Sequence, residues 1–263
     1  MKNKLLITTA LVALFSANNA FSQVREDLIV DSQTPISNQG IDEEPYYYKS
    51  IKVEKGGSLN IETSNIKTEQ DITVLGGLDL KNSVLEAGND ADDQPNNSNI
   101  LLDGATVTMN DSDLEANGNI TIKDTSLSSV STIGEPDNYG IWADGNITIE
   151  NSNINLEKSY IAYLQSLATN IVPTEKFYID SFGDITIDGG VINMANMEIN
   201  SWRGNLNVNG GEINFKGDED SETLLYARKE LNINGGVINM GGAKPIIDNI
   251  ADSEPDAYPA YDL

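Results

Sequence analysis

Two short acidic clusters are the features of this sequence whose residue types could bind a ligand directly. Carboxylate oxygens are preferred ligands of Ca²⁺ in proteins, so each cluster is a candidate calcium site. Neither has the spacing of an EF-hand loop, and a chain with 41 acidic residues contains some acidic loops by chance. Calcium is therefore the one cofactor that the sequence leaves open. The clusters are Asp90, Asp92 and Asp93, and Asp218, Glu219 and Asp220.

The absence of two residue types narrows the chemistry further. The chain contains no histidine and no cysteine, which removes the usual zinc and copper ligand sets and every catalytic triad that depends on histidine. Its formal net charge is −25, with 16 basic residues against 41 acidic ones. Because phosphate binding depends on clustered Lys and Arg, we expect no nucleic-acid partner.

Two sets of uncharged polar side chains could instead form a ligand platform. The first is Tyr46, Tyr47 and Tyr48, whose rings could stack on a sugar. The second is a row of asparagines that share one position of an internal repeat. Stacked amides can also hydrogen-bond to one another as a ladder, so this row has either a structural or a ligand-binding role. The row consists of Asn155, Asn193, Asn214 and Asn239.

An internal repeat must position all of these side chains. Eight segments share one template, in which a second aliphatic residue follows the first by two positions and a third follows it by seven. This period of two is typical of a strand with one buried face. Turns such as Asn82-Ser83 and Gly189-Gly190 separate the strands, since Gly and Asn tolerate positive φ. The first template residues are Leu59, Leu78, Ile100, Ile120, Ile147, Ile185, Leu206 and Leu231.

A third apolar pair follows the two template strands in many copies, as in Ile141-Trp142 and Tyr178-Ile179. Three short strands per copy of about twenty residues predict one all-β domain. The predicted fold is a parallel β-helix, or β-solenoid, of about eight coils over residues 58–250, wound right-handed and capped at both ends. The alternative is an antiparallel sandwich, in which the Gly-Gly and Asn-Ser pairs would be hairpin turns.

The segments outside the repeat have their own signatures. Residues 1–22 combine two early lysines, a short apolar stretch and small residues, which predict a cleaved signal peptide and export. A membrane anchor or a buried strand is the alternative for this segment. We expect an N-terminal cap over residues 23–57, a helical insertion near 158–172, and an acidic tail over 251–263. No stretch has the length of a membrane-spanning helix, so none is expected after signal cleavage.

The repeat resembles the passenger domains of Gram-negative autotransporters and related adhesins. The resemblance covers residues 56–245 and rests on coils rich in Asn, Gly, Thr and Ile, such as residues 145–156. It implies a rod in the extracellular space or on the outer cell surface, with the periplasm as a further location, that binds a receptor on a host or cell surface. The sequence contains no pattern of that family's β-barrel, so the resemblance is to the passenger alone.

The coils are also similar to carbohydrate-binding β-helix proteins that bind acidic plant polysaccharide through calcium. Residues 140–149 and the turn at 189–192 carry this resemblance, which implies a polysaccharide ligand and calcium assistance as the alternative function. Parallel β-helices also include pectin-degrading enzymes, but their Gly-His-Gly and Arg-Ile-Lys motifs are absent. Only Arg203 and Arg228 lie in the repeats. We therefore expect an adhesin-like binding or structural role, and not an enzyme.

Overall fold

The computed structural model describes residues 25–40, 45–88, 97–131, 139–158, 177–195, 197–216, 222–239 and 244–248. Within these ranges every regular element is a β-strand, and the chain passes through three faces in each circuit, here called a coil. The described strands form nine coils. None of the described residues belongs to a helix long and apolar enough to cross a membrane.

The three faces are built from the following strands. The first face contains β1 (Asp27–Val30), β4 (Ser50–Val53), β7 (Ile72–Val74), β10 (Ile100–Asp103), β13 (Ile120–Lys123), the first halves of β16 (Ile147–Lys158), β18 (Ile185–Ala195) and β20 (Leu206–Lys216), and β22 (Leu231–Ile233). The second face contains β2 (Gln33–Ser37), β5 (Ser58–Glu62), β8 (Gly77–Lys81), β11 (Thr106–Asn110), β14 (Ser126–Ser131), the second halves of β16, β18 and β20, and β23 (Val237–Asn239). The third face contains β3 (Tyr46–Tyr48), β6 (Asn65–Thr68), β9 (Val84–Ala87), β12 (Asp113–Ala116), β15 (Tyr139–Ala143), β17 (Phe177–Ser181), β19 (Met197–Ser201), β21 (Glu222–Ala227) and β24 (Lys244–Asp248).

All pairings between these strands are parallel, and each strand pairs with the corresponding strand one coil away. The predicted all-β parallel solenoid is thereby confirmed. The antiparallel sandwich is wrong, because its hairpins would require antiparallel neighbours. The predicted third apolar pairs, such as those in β15 and β17, are the strands of the third face.

The core consists of aliphatic columns that run the length of the rod. On the first face, Ile100 pairs in register with Ile120, Ile120 with Ile147, and Ile147 with Ile185. All four side chains are buried. One coil cannot bury its apolar face alone, so stacking in register at about 4.8 Å is what makes the core continuous. The template residues of the last copy are only partly buried, and Ile233 is 50% exposed.

The structure shows that the first two copies of the sequence template begin on a different face from the other six. Leu59 and Leu78 lie on the second face, and the register partner of Leu78 is Val107, which is the third template residue of its copy. Ile100 pairs with Ile72, which belongs to no template copy. The first two copies are therefore displaced by one strand relative to the other six.

Similar bends at two different corners explain this displacement. In coils two to four the corner between the second and third faces holds a left-handed residue followed by a serine, such as Asn82 with φ 46° and Ser83. In later coils the same kind of pair, such as Asn151 with φ 46° and Ser152, lies between the first and second faces. The serine hydroxyl accepts a backbone N–H from the neighbouring coil in both cases, as in Thr125 N to Ser152 Oγ at 3.2 Å.

Glycine pairs take the place of that pair in the last three of the described coils. Gly190 has φ +86°, and a Cβ built on it would lie 2.0 Å from the backbone oxygen of Ser152 in the preceding coil. Only glycine accommodates both the left-handed backbone and this close approach. The Gly-Gly turns of the sequence are therefore corners of the solenoid.

A ladder of Asn and Asp side chains closes the corner between the third and first faces. The Oδ1 atom of Asn99 accepts the backbone N–H of Asn119 at 2.9 Å, and that of Asn119 accepts the N–H of Asn146 at 2.8 Å. Asn146 and Asp184 continue the ladder by accepting N–H groups of the next coils at 2.8 and 2.7 Å. The sequence carries a signal for this ladder, a Gly-Asx pair directly before Ile120, Ile147, Ile185 and Leu206.

The described part of the predicted N-terminal cap takes the form of a coil. Strands β1, β2 and β3 follow the same three-face path as the later strands and pair with β4, β5 and β6. The predicted signal peptide, most of the helical insertion near 158–172 and the acidic tail lie outside the described residues. At the edge of that insertion, β16 extends to Lys158.

Candidate functional site on the third face

The outward surfaces of the three faces differ in chemistry. On the first face, Thr121, Thr148 and Thr186 are consecutive register partners. The second face presents the asparagine row. The third face instead aligns a run of acidic, aromatic and amide side chains, and it is therefore the candidate functional site. Its register partners are Glu86, Glu115, Trp142, Asp180, Asn200 and Tyr226.

The predicted asparagine row forms a ladder on the second face. Asn214 donates from Nδ2 to Asn193 Oδ1 at 3.1 Å, and Asn239 donates to Asn214 Oδ1 at 2.6 Å. Asn155 is the register partner of Asn193. Each of these two bonds satisfies a donor and an acceptor within the rod, which accounts for the row structurally. Its use as a ligand platform stays a prediction.

The structure divides the three predicted tyrosines between the core and the surface. Tyr46 and Tyr48 pack against the hydrophobic core, with ring centroids 5.1 Å apart, and burial raises the pKa of Tyr48 to about 12. Tyr47 points the other way, and the Arg25 guanidinium lies 4.2 Å from its ring centroid. Arg25 also forms an ion pair with Glu69 at 2.6 Å. The three rings therefore do not share one flat surface.

Both predicted calcium clusters, at residues 90–93 and 218–220, lie outside the described residues. Within the described ranges no group of three or more acidic side chains is arranged to hold a metal ion. Calcium binding thus stays a prediction for those two loops.

We define the third-face cluster as a set of seven side chains on β12, β15, β17 and β19 and in the corner after β19. Outward side chains alternate with inward ones along each strand, so the cluster stands directly over the inward column that includes Ile141, Ile179 and Ile199. Both tryptophans of the chain are members. The members are Glu115, Trp142, Tyr178, Asp180, Glu198, Asn200 and Trp202.

Asp180 is the most deeply placed acid of the cluster, with 6% of its surface exposed. Asn200 donates from Nδ2 to Asp180 Oδ1 at 3.0 Å, and Trp202 donates from Nε1 to Asp180 Oδ2 at 3.2 Å. Burial raises the pKa of Asp180 to about 7, and the negative charge of Glu198 also raises it, while the two hydrogen bonds act in the opposite direction. Near neutral pH the protonated and the ionised forms of this carboxyl are therefore both populated.

Asn200 lies beside Asp180 and is 1% exposed. Its Nδ2 group donates both to Asp180 and to Glu198 Oε2, the latter at 3.1 Å. The ionised form of each carboxyl accepts and does not donate, which holds the amide with its nitrogen toward both of them. The Oδ1 atom of Asn200 is buried and accepts no hydrogen bond. Buried acceptors normally have a donor, so this atom marks a position where a donor is missing.

Tyr178 covers the neighbouring coil at a glycine. A Cβ on Gly140 would lie 2.4 Å from the Tyr178 backbone oxygen and 2.8 Å from its ring, so only glycine lets the ring lie against this strand. The Tyr178 hydroxyl lies 3.4 Å from Asp113 Oδ1, which also accepts the Gly140 N–H at 2.8 Å. Burial raises the pKa of Tyr178, and the charges of Asp113, Glu115 and Asp180 raise it further. The phenol therefore remains protonated and able to donate.

Aromatic rings flank the acids on the same face. Trp142 and Phe182 meet edge to face with centroids 5.0 Å apart, and the Trp202 and Tyr226 centroids are 5.4 Å apart. All four rings are partly exposed. Flat apolar rings beside carboxylates, an amide and a protonated phenol are the groups that bind a ligand with both apolar surface and hydroxyl or amine groups.

The sequence pattern marks Trp142 and Tyr178 only as parts of third strands, and it does not point to Asp180, Asn200 or Trp202. A signal was present, since these residues are neighbours of the apolar residues of the third strands. Comparison of the chain with protein-family models, with curated proteins and with solved structures finds no match. The class defined by the fold and this surface is thus an all-β parallel solenoid with a polar and aromatic third face, and the resemblance to autotransporter passengers stays a prediction.

Replacing Asp180 with asparagine should change how stability depends on pH. Because the folded-state pKa lies above the ordinary value of 3.8, the folded protein binds more protons than the unfolded chain between these values. The contribution of Asp180 to stability is therefore full below about pH 4 and is lost as the pH rises through about 7. From pH 5 to pH 8, the unfolding free energy of the wild type should therefore fall by about 2–3 kcal/mol relative to that of Asp180→Asn.

The matched control is Asp144→Asn. Asp144 accepts the indole N–H of Trp142 at 3.1 Å, as Asp180 accepts that of Trp202, but Asp144 is exposed. Urea denaturation of the three proteins at both pH values measures the effect. Parallel pH profiles for Asp180→Asn and the wild type would show that the carboxyl titrates as an ordinary surface acid.

Proposed function

We propose that the protein is an exported solenoid that binds a glycan through its third face and acts as an adhesin-like binding protein. One observation carries this proposal: both tryptophans of the chain are neighbours of Asp180, Trp142 as its register partner and Trp202 through its indole N–H. Glycans combine C–H surfaces that stack on aromatic rings with hydroxyls that hydrogen-bond to carboxylates and amides. The third face supplies both kinds of partner.

The solenoid suits an extended ligand for a geometric reason. Register partners on adjacent coils lie about 4.8 Å apart, so a polysaccharide along the rod meets a new row of side chains on every coil. Trp142, Asp180, Asn200 and Tyr226 are four consecutive partners in such a row. Several weak contacts along one chain add up to useful avidity without a deep pocket.

The proposed location follows from the predicted signal peptide. We place the mature protein, from residue 23 onward, on the outer surface or outside a Gram-negative cell, with the periplasm as a further location. Its partner is a polysaccharide or the glycan of a surface receptor, and it carries out no catalysis. The rod holds the binding face away from whatever anchors it.

Affinity electrophoresis of residues 23–263 through gels containing pectin, xylan or mucin tests this proposal. We expect one polysaccharide to retard the wild type, and Trp142→Ala to weaken that retardation about tenfold because a stacking ring is lost. Thr148→Ala, on the first face, is the control and should migrate as the wild type does. The thermal midpoint of each variant is measured to show that it is folded.

Two results would refute the proposal: no retardation in any gel, or equal retardation of the wild type and Trp142→Ala. Each gel is run with calcium and with a chelator. Retardation that vanishes with chelator assigns a calcium-assisted mode to the acidic loops at 90–93 and 218–220. Retardation that persists shows that the third face binds without metal.

A further inference from the structure

We infer that the third-face cluster selects glycans that carry a primary amine, which it binds as an ammonium ion. This inference rests on the proposed function and names the chemical class of the ligand. The first observation is the concentration of acidic side chains around one ring. The Tyr178 hydroxyl lies 3.4 Å from Asp113 Oδ1, and the Asn200 amide donates to both Asp180 and Glu198. Trp142 is the register partner of both Glu115 and Asp180. Acidic side chains concentrated in this way favour a positive group.

The hydrogen-bond partners of Asp180 are neutral. Its two oxygens accept from the Asn200 amide and the Trp202 indole. Neutral donors stabilise a buried carboxylate less than a cation does, because a charge-assisted bond is about twice as strong as a neutral one. An ammonium group that reached Asp180 would supply the missing positive charge.

Asn200 supplies an independent indication of a missing donor. Its Oδ1 atom is buried without a hydrogen bond, and its nitrogen is directed toward Asp180 on β17. The planar amide therefore directs Oδ1 the other way along the stack, toward β21, where Tyr226 is the register partner of Asn200. An ammonium group has three donors and no acceptor, so one that displaced the side chains now covering this oxygen would satisfy it and retain donors for carboxylates.

Aromatic rings complete the environment that an ammonium ion requires. Trp202 and Tyr226 lie 5.4 Å apart, on the side of Asn200 to which its free oxygen is directed. A cation over the face of a tryptophan or tyrosine ring is stabilised by the ring's quadrupole. A neutral hydroxyl gains neither this attraction nor the full attraction of the acids, and therefore we expect the cluster to discriminate an amine from a hydroxyl.

Calorimetric titration with three oligosaccharides of equal length and the same β-1,4 linkage tests the inference. Their sugars are glucosamine, N-acetylglucosamine and glucose, so they present an amine, an amide or a hydroxyl at one position. At pH 6, where most of the sugar amines are protonated, we expect the glucosamine oligomer to bind at least about tenfold more tightly than the others. The preference should weaken as salt is added, because salt screens the attraction between charges.

Asp180→Asn should abolish this preference while leaving the three affinities similar to one another. Glu198→Gln is the second variant, because it tests the same charge should Asp180→Asn fold poorly. Asp144→Asn removes an exposed acceptor of the Trp142 indole and should retain the wild-type preference. Loss of preference in Asp144→Asn to the same degree as in Asp180→Asn would overturn the assignment to Asp180.

The remaining outcomes separate the inference from the proposed function. Equal binding of all three oligosaccharides by the wild type overturns the amine preference and leaves glycan binding standing. If the wild type binds none of the three but is retarded by pectin, xylan or mucin, the amine preference is likewise overturned and glycan binding stands. Failure in both experiments overturns both proposals. Binding of an oligolysine peptide in place of the amine sugar, with the same dependence on Asp180, would assign the surface to a basic protein segment.

Discussion

Replacing Ile149 with alanine should lower the free energy of unfolding by about 2–5 kcal/mol, the range for truncating a buried isoleucine. Ile149 is 0% exposed in the sixth coil and lies in register between Ile122 and Ile187. Removing its side chain leaves a cavity whose walls are held by the coils on both sides. Urea denaturation followed by circular dichroism measures the change.

Two controls isolate the inward column from other effects. Ile233→Ala makes the same substitution in the same column at the last coil, where the side chain is 50% exposed, and should have less than about half the effect. Thr148→Ala changes the outward neighbour of Ile149 and should stay within about 1 kcal/mol. Equal losses for Ile149→Ala and Ile233→Ala would contradict the assignment of Ile149 to a continuous core.

The inward columns could be predicted from the sequence because their signal is local. Alternation of aliphatic and polar residues identifies each strand, and Gly or Asn marks each corner. The face on which each copy begins, however, cannot be read from nearby residues. Thr63-Ser64 and Asp124-Thr125 form the same kind of bend at different corners, so the template does not distinguish the two copies that begin on the second face from the six that begin on the first.

The candidate site could not be predicted in the same way, because it depends on register across insertions of unequal length. Trp142 and Asp180 are 38 residues apart in sequence, Asp180 and Asn200 only 20, yet both pairs are direct neighbours on the third face. Burial of Asp180 at an outward position also breaks the alternation rule that predicted the core. A polar residue in that pattern predicts a solvated surface, and the structure instead gives a carboxyl that is 6% exposed.

The native chain contains no cysteine, so a single introduced thiol can report which face binds the ligand. The three variants are Thr148→Cys on the first face, Asn193→Cys on the second and Tyr226→Cys on the third, all at outward, partly exposed positions. Each is compared with itself before and after reaction with a bulky thiol reagent. This comparison separates the effect of the label from that of the substitution.

The measurement is the dissociation constant for the polysaccharide that retards the wild type, taken for each labelled and unlabelled pair. A bulky group on the third face should block access to its partly exposed side chains, which include Trp142, Glu198 and Trp202. Labelling Tyr226→Cys is therefore expected to weaken binding at least about tenfold, with Thr148→Cys and Asn193→Cys changed less than about twofold by their labels. Loss of binding on labelling the first or second face, with the third unaffected, would contradict the central claim that the third face is the binding surface.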